Sequence, residues 1–400
     1  MKHEPQEIGK PQLVSEVLPD DSPEGAHERQ LARYAVAKTR QQLVSEFIEQ
    51  RNYLSVKPTL EKEAIALNEC GSFLIYRHYF TLGMYKMVFG CTCKKHLLCA
   101  LCAIRRAAKC IALYSEKISQ VKSEKDFEEV MITFTIKNGE DLGERFDHLL
   151  GSMKKILHKR RNSIANGKTH TELKHVAGAV YSYEVTYTEN KGYHPHCHMI
   201  ALVPPGHFKY SKQIIKGKSV LVPQVLKDGI VEDWHKITGD SYIIDVRKIE
   251  DSEMPEHGQD IAGTRLEALV EVFKYALKMN KMDKESEADS EHNIRIQVEA
   301  YEILRGRRLV GSFGNLWGVK VPENLNDAPL TDEEMPFVDL VYQYSGVNFG
   351  YQLTSHGTVQ TAAAMPSKHH EKAVSAKYHK NIGESKWKQK IKDFVMLKSM

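Results

Sequence analysis

The segment Gly192-Tyr-His-Pro-His-Cys-His-Met-Ile-Ala-Leu-Val203 places His196 and His198 one residue apart. On an extended strand, side chains two positions apart project from the same face, so both imidazoles can reach one metal ion. Farther along, Glu271-Val-Phe-Lys-Tyr275-Ala-Leu-Lys278 offers a carboxylate, a phenol and an amine at helical spacing. A metal that polarises a phosphate beside a phenol placed to attack it is chemistry for cutting a phosphodiester by covalent attack.

The strand preceding the histidines supplies a third ligand. Odd positions Tyr181, Tyr183, Val185 and Tyr187 are apolar or aromatic, and even positions carry Ser182, Glu184, Thr186 and Thr188. In the next strand the histidines are even, and Cys197, Met199, Ala201 and Val203 are odd. If the odd faces share a core, even must pair with even. A hairpin centred on Asn190 then sets Glu184 opposite His196, with Cβ atoms about 5 Å apart. The expected site is Glu184, His196 and His198 with open positions for water and phosphate. That mixed ligation suits Mn²⁺ or Mg²⁺, with zinc or cobalt as alternatives. His194, on the same face, is expected to support the ligands rather than bind directly.

Stepping about 100° per residue from Glu271 puts Tyr275 at about 40° and Lys278 at about 340°. Leu269, Phe273, Ala276 and Leu277 fall on the opposite side. The helix should therefore bury its apolar face against the sheet and present Glu271, Tyr275 and Lys278 together. Tyr275 would be the nucleophile, Lys278 would steer the phosphate or stabilise the phenolate, and Glu271 would serve as a general base.

Cys91-Thr-Cys93-Lys-Lys-His96-Leu-Leu-Cys99-Ala-Leu-Cys102 packs four thiols into twelve residues. Tetrahedral zinc on Cys91, Cys93, Cys99 and Cys102, with His96 as a substitute, would fold a segment too short to fold alone. The helical pattern that follows carries Arg105, Arg106 and Lys109, which read as phosphate contacts. A second basic block holds Lys154, Lys155, Lys159, Arg160 and Arg161, and Lys386-Trp-Lys-Gln-Lys-Ile-Lys392 forms a third. Overall charge is only +4, so any nucleic-acid signal lies in these blocks.

The elements that position these groups follow from periodicity. Residues 31–69 read as helix, 130–137 as strand, 141–165 as helix, and 176–188 and 193–203 as a hairpin. A helix at 222–237, a strand at 242–248 and the Tyr275 helix complete the series. This β-α-β-β-α-β order predicts an α+β fold with a split βαβ (ferredoxin/RRM-like) plan: a central antiparallel sheet with helices on one face. Four regions are expected: a disordered stretch at 1–30, a helical, Cys-rich zinc and DNA-binding segment at 31–122, the catalytic domain at 123–320, and an extension with a basic tail at 321–400. Residues 284–293 read as a charged linker. Seven cysteines, four of them clustered, favour reduced thiols over disulfides. No apolar run is long enough to span a membrane and the N-terminus lacks a leader's apolar core, so a cytoplasmic (bacterial) protein is expected.

The motifs together resemble the HUH endonucleases, in particular the single-tyrosine Rep initiators of rolling-circle plasmids. Thr133-Phe-Thr135-Ile-Lys-Asn138 is similar to that family's first motif. Glu184 with His194-Pro-His196-Cys-His198 is similar to its metal motif, and Glu271 to Lys278, with Asp283 beyond, to its nucleophile motif. Arg305-Gly-Arg-Arg308-Leu-Val-Gly-Ser-Phe-Gly314 resembles its closing segment. The resemblance implies a nick at a plasmid double-strand origin, single-stranded or extruded as a cruciform. It implies a 5′-phosphotyrosine link, a free 3′-OH primer, and termination by Glu-assisted hydrolysis or strand transfer. A host helicase, polymerase and single-strand binding protein would be partners, and a homodimer stays open. No Gly-x-x-x-x-Gly-Lys-Ser/Thr motif is present, so unwinding falls to the host. Two alternatives stand beside this reading. One is a relaxase, transposase or phage-type initiator with the same chemistry; the other is a non-catalytic zinc-containing DNA-binding regulator.

Overall fold

A computed structural model of the chain describes residues 22–54, 60–167, 169–215, 218–250, 264–273, 287–328, 330, 335–357 and 360–361. Two helices, α1 (Pro23–Leu54) and α2 (Glu61–Glu69), lead into the hairpin β1 (Phe73–Tyr79) and β2 (Met84–Gly90) and then α3 (Ala100–Glu124). Next come β3 (Glu128–Thr135), α4 (Leu142–Asn166), β4 (Gly178–Thr188) and β5 (Gly192–Val203). A ribbon, β6 (Tyr210–Ile215) and β7 (Lys218–Pro223), precedes α5 (Gln224–Thr238), β8 (Ile244–Lys248) and α6 (Arg265–Phe273). The series closes with α7 (Glu287–Leu304), β9 (Val310–Gly314), β10 (Pro336–Ser345), β11 (Gly350–His356) and β12 (Gln360–Thr361).

The fold is α+β, built around an antiparallel five-stranded sheet in the order β8-β3-β5-β4-β9. Strand β5 lies between β3 and β4 and is buried along almost its whole length. Its odd residues Cys197, Met199 and Ala201 share one core with Phe134, with Phe146 and Met153 of α4, and with Trp234 of α5. Its even residues Ile200 and Leu202 share a second core with Val180, with Tyr114 and Ile118 of α3, and with Leu269 and Val272 of α6. Helices therefore cover both faces, where the alternation had suggested one. The physical reason is in β5 itself: from Met199 to Val203 the strand is apolar on both sides, so each side needs a cover.

The turn into β5 fixes the register. Gly192 takes φ +72°, and a Cβ there would lie 2.5 Å from the Gly139 carbonyl oxygen, so only glycine fits. The pairing that results sets Glu184 opposite His196 and Ser182 opposite His198, the alignment expected from a centre at Asn190.

A second sheet runs β11-β10-β1-β2, with β12 also pairing with β10. Residues 336–356, which carry no clear pattern in the sequence, thus complete a sheet begun at residue 73. Three further expectations change. Helix α1 begins at Pro23, inside the stretch read as disordered, residues 73–90 form a hairpin within the segment read as helical, and α7 occupies most of the linker read at 284–293. The first turns of α7 are polar, while Ile294, Val298, Tyr301 and Leu304 are buried. Among the described residues no helix is long and apolar enough to cross a membrane.

Candidate metal centre

The face of the central sheet that carries Ile200 and Leu202 changes character toward the start of β5. There it presents Glu184, His196 and His198, all buried. The Glu184 Oε2 atom lies 3.0 Å from His196 Nε2 and 2.8 Å from His198 Nε2. The two rings stand nearly perpendicular, with centroids 4.7 Å apart. Burial pushes the Glu184 carboxyl up, but the hydrogen bonds and charges of the two histidines outweigh it and hold the group well below the usual carboxylate range.

The outer ring nitrogens are engaged elsewhere. His196 Nδ1 is 3.1 Å from the His194 carbonyl, which can only accept, so Nδ1 carries the proton. Nε2, on the other side of the ring, faces the Glu184 carboxylate, where it can donate to that oxygen or, without its proton, share a cation with it. His198 Nδ1 is 3.1 Å from Thr133 Oγ1, a partner that fixes the ring plane. Two ligands about 2.1 Å from one ion and at right angles sit about 3.0 Å apart, the separation found here. The donor set therefore fits a divalent cation with open positions.

Helix α6 delivers Glu271 to this centre. Its start is held by Arg265, whose Nε lies 2.8 Å from Oε1 of the buried Glu129, itself 3.1 Å from Lys122. Its end is held by Ser182, whose hydroxyl donates to the Val272 carbonyl. Between these anchors Ala268, Leu269, Val272 and Phe273 are buried, and Phe273 stacks on Tyr114. Glu271 stays half-exposed, with Oε1 3.6 Å from His198 Nε2. Tyr275, Lys278 and Asp283 lie outside the described residues, as does the 386–392 block. His194 supplies its carbonyl rather than its ring, and burial and then the neighbouring His196 depress its pKa.

A second group of donors brings together Cys70, Cys93, Cys99 and Cys102, not the foursome grouped by proximity in the sequence. Cys91 continues β2 and turns its thiol to the apolar cluster of Phe73, Ile75, Val88 and Phe89, where burial raises its pKa to about 11. Its place is taken by Cys70, at the end of α2. Sγ–Sγ separations are 3.5 Å for Cys70–Cys99, 3.6 Å for Cys70–Cys102 and 3.7 Å for Cys93–Cys102. These are far too long for a disulfide and close to the edge, about 3.8 Å, of a tetrahedron with arms of about 2.3 Å. Backbone N–H groups of Cys93 and Cys102 point at Cys70 and Cys99 sulfurs, at 3.3 and 3.4 Å. His96 lies outside this donor group.

The basic blocks divide. Arg105 is not a phosphate contact: it is 4% exposed and spends its guanidinium on the Leu325 carbonyl, Asp327 and Tyr34. Burial of that position in α3 requires local partners for the charge. Arg106 and Lys109 remain half-exposed on the same helix. On α4, Arg160 donates to the Leu173 and Val176 carbonyls and lies over the Phe313 ring, while Lys154, Lys155 and Arg161 are exposed. Because α4 covers the odd face of β5, this block sits across the sheet from Glu184 and the histidines. Thr133, Ser182 and Cys70 are site residues that the sequence reading gave no role. For the first two the signal was present, since strand alternation puts both on the histidine face.

A family model of replication proteins matches residues 85–341, well over half of the chain. The chain belongs to the replication protein family. A curated relative, "Protein rep" of Staphylococcus aureus, is 24% identical over 229 residues, covering 56% of this chain and 89% of that protein. No solved structure matches the chain. The family match takes in Glu184, both histidines, Glu271 and three of the four clustered thiols; Cys70 precedes it.

Proposed function

We propose that this replication protein is a rolling-circle plasmid initiator, a DNA endonuclease and strand transferase that nicks one strand at the double-strand origin through Tyr275. The observation that carries the reading is the convergence of Glu184, His196 and His198 on one point, with Glu271 on a docked helix beside it. The strand order β8-β3-β5-β4, read with its two crossover helices, agrees with the split βαβ plan of HUH nucleases. Glu184, His196 and His198 would hold Mn²⁺ or Mg²⁺, which when bound polarises the scissile phosphate and offsets its developing charge. Tyr275 attacks phosphorus, the bond from phosphorus to the 3′-oxygen breaks, and that oxygen leaves as a free 3′-OH after gaining a proton. The 5′ end remains as a phosphotyrosine. Lys278, one turn beyond Tyr275 in the sequence, steers the phosphate.

Glu271 takes the closing step. Its carboxylate lies beside His198 and is half-open to solvent, so water at the centre can reach it and give up a proton to it. Attack by that water on the phosphotyrosine releases Tyr275. Glu271→Ala should therefore nick at near wild-type rate but terminate poorly, giving over-long or multimeric single strands in gel assays of replication products. Equal loss of nicking and termination would assign Glu271 a structural role.

The same reading places zinc on Cys70, Cys93, Cys99 and Cys102, closing the N-terminal segment against α3. The test of the metal centre is direct. His196→Ala and His198→Ala should each lower Mn²⁺-dependent cleavage of single-stranded origin DNA by roughly 10²-fold or more while DNA binding persists. Cleavage by the wild-type chain that survives EDTA would remove the metal from the mechanism. Persistent binding without any cleavage under all metals would instead favour a non-catalytic regulator.

A further inference from the structure

The β6–β7 ribbon is inserted between β5 and α5; among the described strands it forms a sheet of its own, with β7 packed beside β8. From Pro204 to Lys227 the sequence holds five lysines and no Asp or Glu, in a chain whose net charge is only +4. Lys209, Lys212 and Ser219 are exposed, and Ile214 is 80% exposed. β7 packs the ribbon against β8 and buries Val222, which leaves the bare isoleucine and the lysines facing solvent, a surface suited to an anionic partner. Its base is fixed: the Tyr210 hydroxyl donates to Glu128 at 2.8 Å, and Lys248 neutralises that same carboxylate at 2.9 Å. From that base Lys209 and Lys212 face solvent, with no ion pair to an acid among the described residues.

We infer that the β6–β7 ribbon grips duplex DNA, through Lys209 and Lys212 on phosphates and Ile214 toward a groove. A two-stranded ribbon is of a size that enters the major groove, and a polyanion matches its charge. The ribbon follows Val203, at the end of β5 away from the histidines. From His198 to Val203 is about 17 Å along the strand, so the duplex is held well away from the strand being cut. Duplex can then stay paired at the ribbon while a single strand occupies the metal centre. This inference rests on the initiator reading for its biological sense, but its test does not.

The experiment titrates the full chain with a labelled mixed-sequence duplex of about 30 base pairs over a range of salt, reading anisotropy. Adduct formation on single-stranded DNA with Mn²⁺ is measured in parallel. The Lys209→Ala/Lys212→Ala double variant should bind duplex roughly 10- to 30-fold more weakly near 0.15 M salt, with the log–log salt slope reduced by about two. Ser219→Lys, which adds a charge on the exposed surface, should steepen the slope by about one. Both variants should form the single-strand adduct as the wild type does. Unchanged duplex affinity and slope in both variants, or a wild-type chain that does not bind duplex, would overturn the ribbon assignment while leaving nicking intact. Ribbon-dependent duplex binding by a chain that forms no adduct would uphold the ribbon and sink the initiator mechanism.

Discussion

Tyr275→Phe should abolish formation of the covalent protein–DNA adduct, a loss of roughly 10³-fold or more, while DNA binding stays within a few-fold of wild type. The substitution deletes one oxygen, keeps the ring and leaves the charge of the chain unchanged. Only the attacking atom disappears. Glu184, His196 and His198 would still hold the cation that polarises the scissile phosphate, but the phosphate would have no phenol to be transferred to. With the phenol gone, water beside Glu271 is the expected nucleophile, so any residual cleavage in Tyr275→Phe should be slow, non-covalent and dependent on Glu271. A gel that resolves the adduct from free DNA measures both. Undiminished adduct would mean that the phenol is not the nucleophile.

The second large effect separates two cysteines that the sequence does not distinguish. Cys70→Ser should strip the chain of its zinc, from about one per chain to near zero, and unfold the region joining α2, the β1–β2 hairpin and α3. Cys91→Ser should leave zinc content unchanged, because Cys91 packs among Phe73 and Phe89 instead. The expected difference is large because structural zinc is worth about 10–16 kcal/mol in small domains, comparable with the whole stability of a typical fold. Metal analysis of the two purified variants, with circular dichroism, checks it. Zinc lost from Cys91→Ser and kept in Cys70→Ser would restore the grouping by sequence proximity.

The contrast between these cysteines shows what the sequence could and could not reveal. The Glu184–His196 pairing was legible because strand alternation and a short turn fix register locally. The side of α6 that carries Glu271 was legible for the same kind of reason: helical period alone separates it from Leu269 and Phe273. Cys70 was not legible, because it joins Cys93 and Cys102 only once the turn after α2 meets the end of β2, where the Gly71 N–H donates to the Cys91 carbonyl. Arg105 misled for a related reason. Its helical position looked like part of a basic face, yet its partners Leu325 and Asp327 come from the far end of the chain. Strands β10 and β11 escaped notice because much of β11 is exposed and its order comes from pairing with β10, and through it β1. The cover on both faces of β5 could have been read from the unbroken run Met199-Ile-Ala-Leu-Val203, which alternation obscured.

The most direct test of the central claim is to identify the residue that carries DNA. The full chain is incubated with Mn²⁺ and single-stranded DNA spanning candidate origins, digested with protease, and the nucleotide-linked peptide is sequenced by mass spectrometry. The account predicts a 5′-phosphodiester on Tyr275, formed with Mn²⁺ and absent when EDTA is added. An adduct on another residue, or one that forms equally well in EDTA, would contradict it.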